Sequence, residues 1–470
     1  MKRRHEMVNL HSRSTMPTGV SSTALAALET QINGSLLRSG DQDYDRARHV
    51  FNAMIDRRPA VIVRCVDSND IIQGVEFARR HELPLAVRGG GHSVAGKSVC
   101  DGGIMLDLSG MKGIQIDPEG RTATAEPGLT LGEFDRATQA YGLATPLGIV
   151  SVTGIAGLTL GGGLGWLNGK HGLACDNLLS ANVVTADGQL ITANETENQD
   201  LYWAIRGGGG NFGVVTSFTY RLHNVGKVLA GNLTFQPDRA REAMRFCDEF
   251  TRTAPDELSS AGALGRDGDG NPVFAITVCY SGSIEEGEDV LHRLRSFDAI
   301  IEDTVAPIDY LALQTAPDPG FPEGRQHYWK SGYLRDLSDD AIETLLGFVA
   351  EIPSPFSGIG LQQMSGVASR IDPTATAFAH RARQYDMLIL SQWEDPTDSD
   401  QNIAWTRSLF EAMEPFLEDA VYSNNLGEEG EERVRAAFGD NYNRLATIKA
   451  KYDPSNLFQL NQNIKPASPN

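Results

Sequence analysis

Glycine concentrates in three stretches of the chain: Arg88-Gly89-Gly90-Gly91-His92-Ser93, residues 148–165 and residues 206–215. Glycines let backbone amides approach an anion without Cβ crowding, and successive N–H groups can form a nest for phosphate oxygens. Taken alone, RGGGHS reads equally as a structural turn or as a phosphate loop, and His92 as a histidine that hydrogen-bonds such a turn. Three such stretches together are better explained by one long, flat, doubly charged ligand than by three unrelated turns. None joins a strand to a helix with GxGxxG spacing and a downstream acidic ribose reader, which argues against a nicotinamide dinucleotide.

Other chemistries have little support. The five cysteines, at 65, 100, 175, 247 and 279, are scattered and odd in number, with no CxxC pair. That pattern fits a reducing compartment and opposes a disulfide framework or a structural zinc site. No His/Cys/Asp cluster has metal-ligand spacing, so no metal is expected, and the serines lack a nucleophile-elbow context. The acidic groups Asp339-Asp340 and Glu428 to Glu432 read as solvated faces or helix starts.

The elements that must carry the loops are legible in outline. AVIVRCV after Pro59 reads as a strand, Ser68 as the cap of a helix through DIIQGVEFARRH, and LPLAV as a strand ending at RGGGHS. GIMLDL and RTATAEP are further strand candidates, and LTLGEFDRATQAYG a helix stopped by Gly142. SVTGIAGLTLGGGLGW is too rich in glycine for a regular helix or strand. LLSANVVTADGQLITA reads as a hairpin turning at Asp187-Gly188. Beyond residue 225 the glycine loops thin out. There, strands such as GKVLAGNLTF and PVFAITVCYSG alternate with helices near 238–252, 285–297 and 338–350, and residues 315–325 read as a loop. The last helical pattern, from ERVRAAF, runs on until Pro454 stops it.

A chain of 470 residues exceeds the size at which single cores stop growing, so two domains are expected. The net charge of -20 opposes attraction to nucleic acid or anionic lipid. The basic opening MKRRHEMVNLHSRS is not followed by the apolar run of a signal peptide, and no stretch is apolar enough to span a membrane. Cytoplasmic residence is the working expectation, and a homo-oligomer is compatible with the sequence.

Taken in order, AVIVRC at 60, RGGGHSVAG, GLTLGGGLGWLNGKHGLACDN, RGGGGNFGVVT and the terminal YDPSNLFQLNQNI resemble the FAD-binding domain of the vanillyl-alcohol oxidase superfamily. More narrowly, the series resembles the bacterial berberine-bridge-enzyme-like oxidases, and it covers nearly the whole chain. The resemblance implies an α+β fold: a two-lobed PCMH-type FAD-binding domain with an inserted α+β substrate domain built around an antiparallel sheet. The corresponding boundaries are 1–225 for the FAD-binding part, 226–420 for the substrate domain and 421–470 for a segment completing the FAD-binding domain.

The same resemblance assigns residues. In the family the histidine of the RGGGH loop carries the flavin through an 8α-methyl linkage, a role that falls here to His92. Many relatives add a cysteine thioether at C6 of the ring. The matching position in Gly148-Ile149-Val150-Ser151 holds Val150, so a single covalent bond and no 6-S-cysteinyl bond are expected; Cys175 lies too far along the motif to take that role. The cofactor cradle then comprises Arg88, Gly89, Gly90, Gly91, His92 and Ser93, followed by Gly148, Ser151, Val152, Thr153, Gly154, Gly157, Gly161 and Gly163. Gly210, Asn211, Gly213, Val215, Asn461 and Asn463 complete it. Thr153 matches the position regulating oxygen access, and its modest size favours an oxidase.

Tyr422-Ser423-Asn424-Asn425 is similar to the family's Y-x-N-Y or Y-x-N-F segment, which makes Tyr422 the general base and Asn424 its orienting neighbour. An unperturbed tyrosine titrates near pKa 10 (about), so the role needs environmental help. Asn425 departs from the family's aromatic residue. The implied activity is oxidation of a small-molecule alcohol, sugar or secondary-metabolite donor by FAD, with O2 as acceptor and H2O2 as product. An FAD-linked dehydrogenase with another acceptor and a catalytically degenerate flavin-binding protein are the alternatives. His171, Trp329 and Tyr333 read as packing residues or as pocket lining.

Overall fold

The computed structural model of the protein describes residues 20–267 and 270–468; the basic opening at residues 1–14 lies outside them. A four-stranded sheet comes first, in the order Ser35–Arg38, Val61–Arg64, Ile104–Asp107, Leu85–Arg88. The last three strands run parallel and the first is antiparallel to its neighbour. The helix Ser68–Arg80 links two of the parallel strands and buries Ile71, Val75, Phe77 and Ala78 in their core. Its cap is Asp67, not Ser68: the Asp67 carboxylate accepts the Asp70 N–H at 3.1 Å from an extended backbone. RGGGH begins where the parallel strand Leu85–Arg88 ends.

The second sheet is antiparallel, in the order Ile114–Asp117, Thr122–Ala125, Val214–Arg221, Leu178–Val184, Leu190–Asn194. The last two strands form the expected hairpin, with Gly188 at φ +86° in its turn. The helix Leu131–Gln139 starts with a capping box between Thr130 and Glu133. Residues 148–165 contain a short helix, Ile155–Leu160: its one glycine, Gly157, falls on the open side while Ile155, Ala156, Thr159 and Leu160 are buried. The terminal helical pattern is split into Glu431–Phe438 and Tyr442–Tyr452, since Gly439 sits at φ +49° between them. Leu445, Ala446 and Ile448 of the second of these helices enter the same core as Phe212, Phe218 and Tyr220 of the second sheet region.

The third sheet has eight strands. Its order is Ile300–Asp303, Lys227–Phe235, Pro272–Tyr280, Leu258–Arg266, Gly358–Met364, Gln384–Trp393, Gln326–Leu334, with Ala306–Asp309 also pairing Lys227–Phe235. All pairings are antiparallel. Helices Ala240–Arg252, Ile284–Arg295, Asp339–Val349 and Ser399–Met413 share one core with Leu264, Ile276, Ile359, Leu361, Met387 and Ile389, and so cover one face. Side chains alternate along a strand, so Ala263, Asp386, Leu388 and Leu390 turn to the other face, where a cavity lies. Among the described residues no helix is long and apolar enough to cross a membrane.

Candidate active site

A cavity of about 640 Å³ opens between the glycine loops and the uncovered face of the third sheet. Its size falls within the range of ligand sites, roughly 300–1,000 Å³. Two loops meet at its base through their backbones. A Cβ on Gly90 would lie 2.5 Å from the Gly154 nitrogen, and one on Gly154 would lie 2.5 Å from the Gly90 nitrogen. Only glycine at both positions permits this approach.

Most of the cradle expected from the sequence lines the cavity: Gly89, Gly90, Gly91, His92 and Ser93, then Gly148, Thr153, Gly154 and Gly157. Gly210, Gly213, Val215, Asn461, Tyr422 and Asn424 line it as well. The others lie behind it. The Arg88 guanidinium turns away from the cavity and donates to the Ala47 carbonyl at 2.5 Å, with Asp107 at 4.0 Å. Ser151 donates its N–H to Asp318 at 3.0 Å, and Val152 is exposed. Asn211 ties the loop at 206–215 to the C-terminal segment, donating to the Gln462 carbonyl and accepting the Ile464 N–H. Gly161 and Gly163 face Asn424 and Tyr422 from behind. Asn463 is half-buried outside the cavity wall, with its Oδ1 buried.

Several features fit a flavin nucleotide. Gly157 and Gly210 line the cavity, and a Cβ on either would meet no protein atom, so their backbones are bare toward a ligand. The buried His92 Nε2 and Asn461 Oδ1, both on residues lining the cavity, have no hydrogen-bond partner in the protein. Polar atoms left so are costly unless a ligand or water satisfies them. His92 stacks on Phe51 at 3.8 Å between ring centroids, and Phe51 stacks on His327 at 4.1 Å. Burial pushes the His92 pKa down to about 4, leaving a neutral imidazole with a free lone pair. Val150 lines the cavity, and no cysteine does. Cys175 is buried against Asp176, which in turn holds Arg381 through a bidentate pair at 2.7 Å.

Tyr422 occupies the opposite wall. Its phenolic oxygen accepts the Gly163 N–H and the Asn424 Nδ2–H, each at 2.9 Å. Burial raises the Tyr422 pKa above the usual phenol value and the Asp386 charge adds to the rise, while the two donors pull it down. A Cβ at Gly161 would lie 2.0 Å from Asn424 Oδ1, so the glycine makes room for the amide that orients Tyr422. Asp386 lies on the same wall and was not anticipated from the sequence. Burial pushes its carboxyl up to about 7, against hydrogen bonds from Ser331 at 3.0 Å and Asn425 at 2.6 Å. The available signal was an acid sharing one strand face with Leu388 and Leu390 in QYDMLILSQW.

His171 stacks on His223 at 3.8 Å and lies outside the cavity lining. Tyr333 is buried beside Tyr422 without lining the cavity, whereas Trp329 forms part of the wall with Nε1 unpartnered. Among the described residues no group of three or more His, Cys, Asp or Glu side chains is placed to hold a metal ion.

This fold and cavity define a PCMH-type FAD-binding oxidoreductase. The family described as FAD binding domain matches residues 59–194, and that described as berberine and berberine like matches residues 419–465. An FAD-linked oxidoreductase of Dictyostelium discoideum is 32% identical over 440 residues, covering 93% of this chain and 95% of its own. (R)-6-hydroxynicotine oxidase of Paenarthrobacter nicotinovorans is 31% identical over 459 residues, covering 94% and 98%. The solved 6-hydroxy-D-nicotine oxidase of Arthrobacter nicotinovorans superposes with a TM-score of 0.86 at 29% identity, covering 93% of this chain and 98% of that one. A chitooligosaccharide oxidase shares the fold, with a TM-score of 0.83 at 23% identity. The chain belongs to the berberine-bridge-enzyme-like family of FAD-linked oxidoreductases.

Proposed function

We propose that this FAD-linked oxidoreductase is an oxidase that takes a hydride from an alcohol, amine, sugar or other secondary-metabolite carbon and delivers the electrons to O2, forming H2O2. The observation that carries the donor-oxidising part of the reading is that Tyr422 and Asp386 both line the cavity, near enough for the Asp386 charge to act on the phenol. FAD, when bound, supplies the two-electron acceptor.

Tyr422 meets the donor's hydroxyl or amine proton, with Asn424 and the Gly163 N–H stabilising negative charge on its oxygen. Burial keeps the Tyr422 phenol protonated at neutral pH, so it passes its own proton on as it takes the donor's, and Asp386, whose carboxyl burial lifts to about 7, is the group that finally holds the proton. His92 forms the single covalent attachment through its neutral imidazole, and the valine at 150 leaves no thiol for a second. Thr153 at the cavity wall leaves room for O2. The cradle residues named above, from Arg88 to Asn463, position the cofactor, those outside the cavity by bracing the loops that line it. Residues 1–225 and 421–470 form the FAD-binding part and 226–420 the donor-binding part. The helix Tyr442–Tyr452, packed in the core of the second sheet, supports that division.

The test is the visible spectrum of the purified protein during anaerobic addition of chemically diverse donors. Bleaching by one donor class, with recovery and stoichiometric peroxide on admitting air, supports the oxidase. Bleaching without recovery in air assigns a dehydrogenase, and a flavin that no donor bleaches assigns a degenerate binding protein.

A further inference from the structure

The uncovered face of the third sheet is ordered by strand register into rows. Thr277 stands opposite Ala261, Ala261 opposite Gln362, and Gln362 opposite Asp386, so Thr277, Gln362 and Asp386 form one polar row. The next row on the same face is Ala263, Gly360 and Leu388, again directly paired across strands. Beyond it, Gly358 pairs with Leu390 and Leu390 with Trp329. Successive same-face positions are about 7 Å apart along a strand and neighbouring strands about 4.8 Å apart. A polar edge at Asp386 therefore gives way, within one step, to an apolar floor two rows deep.

That floor is flat as well as apolar. Ala263 and Gly360 contribute almost no side chain, whereas Leu388, Leu390 and Trp329 stand at its side. Phe321 and Pro317 enclose the same space. A polyhydroxylated donor would place several hydroxyls over carbon, where among these floor residues only Trp329 Nε1 is an unpartnered polar atom, so most would lose their water without a partner. A donor with one heteroatom at Asp386 and Tyr422 and a flat carbon skeleton over Gly360 would satisfy both parts of the surface.

We propose that the donor is a secondary alcohol or amine whose reactive carbon is borne by a flat, largely apolar ring system, and that Gly360 sets the size of the ring accepted. This rests on the reading of the protein as a flavin oxidase and narrows its donor class. The reacting bond is the C–H beside the oxygen or nitrogen: its hydride leaves to the FAD, the heteroatom proton to the Tyr422–Asp386 pair, and a ketone or imine results.

Gly360 can be tested without disturbing the fold. A Cβ there would approach only the Leu388 carbonyl oxygen, at 3.9 Å, so a larger side chain would extend into the cavity. The experiment is isothermal titration of the flavin-bearing protein with 1-indanol, 1-aminoindane, glucose and cellobiose, repeated on Gly360→Ala and Gly360→Leu. Binding of either bicyclic probe at least tenfold more tightly than either sugar is expected, the tighter probe identifying alcohol or amine. Gly360→Leu should weaken that binding tenfold or more and Gly360→Ala less, with flavin content unchanged in both. Tighter sugar binding, no binding of either bicyclic probe, or an unchanged affinity in Gly360→Leu overturns the proposal while leaving the oxidase reading intact. A protein purified without flavin and unable to take it up overturns both.

Discussion

Asn425 Nδ2 donates to Asp386 Oδ2 at 2.6 Å, joining the segment that carries Tyr422 to the strand facing the cavity. The amide stands where the family's aromatic residue is expected, and its hydrogen bond stabilises the ionised carboxyl. Without it the Asp386 pKa rises further above its value of about 7. If the carboxylate is the form that accepts the proton, the rate of flavin reduction climbs as pH rises through that pKa. Asn425→Ala should move this limb upward by about one pH unit and lower the rate at pH 7. Stopped-flow reduction from pH 5 to 9 measures the shift, and an unmoved limb would remove Asp386 from proton transfer.

Tyr422→Phe keeps the ring and loses the oxygen that Gly163 and Asn424 address. Flavin reduction should slow by roughly 10²- to 10⁴-fold, the usual size of a general-base contribution. Flavin content should stay the same, because the ring still fills its buried place beside Phe378. Unaltered reduction kinetics would transfer the base role to Asp386 alone.

His92→Ala should yield protein whose flavin is released by acid precipitation, whereas the unaltered protein keeps its colour in the pellet. The pH sign follows from the lowered pKa of about 4: the imidazole is neutral and nucleophilic throughout the ordinary pH range. The rate at which flavin-free protein becomes covalently loaded should therefore be flat from pH 6 to 8 and fall only as pH approaches 4. A rise through pH 6.5, which an exposed histidine would give, contradicts the buried setting.

The meeting of the glycine loops was legible because glycine is a local signal: Gly90 and Gly154 are required by their own backbones. The hairpin at Asp187-Gly188 was legible for the same reason. Asp386 was not, because its partners lie 39 and 55 positions away, at Asn425 and Ser331, and its meaning comes from sheet register. Arg88 shows the converse. Its neighbours belong to the cradle, yet the guanidinium points behind the loop to Ala47, a direction that depends on where the segment before the first parallel strand folds back.

Thr153→Leu should slow reoxidation of the reduced flavin by air, since a larger side chain at this cavity-lining position occupies space that O2 must enter. A decrease of about tenfold or more corresponds to a barrier increase of about 1.4 kcal/mol. Reduction by the donor should change little. Mixing photoreduced protein with aerated buffer measures it, and an unchanged rate would detach Thr153 from oxygen access.

Lys449 and Asp453 form a fully buried ion pair at 2.6 Å. Lys449 Nζ also donates to the carbonyls of Asn211 at 2.7 Å and Phe458 at 2.9 Å, while Asp453 accepts the N–H groups of Leu457 and Phe458. One ammonium thus pins the loop at 206–215 to the segment bearing Asn461. Lys449→Met fits the space but strands the Asp453 carboxylate away from water, which should cost about 3–5 kcal/mol of stability. Asn461 and Gly210 would lose their shared anchor, so flavin bound by a Lys449→Met protein that also lacks His92 should dissociate more readily than from His92→Ala alone. Urea denaturation and flavin fluorescence measure the two effects. A loss below about 1 kcal/mol, the size of a single ordinary hydrogen bond, would show that the pair does not hold the segment in place.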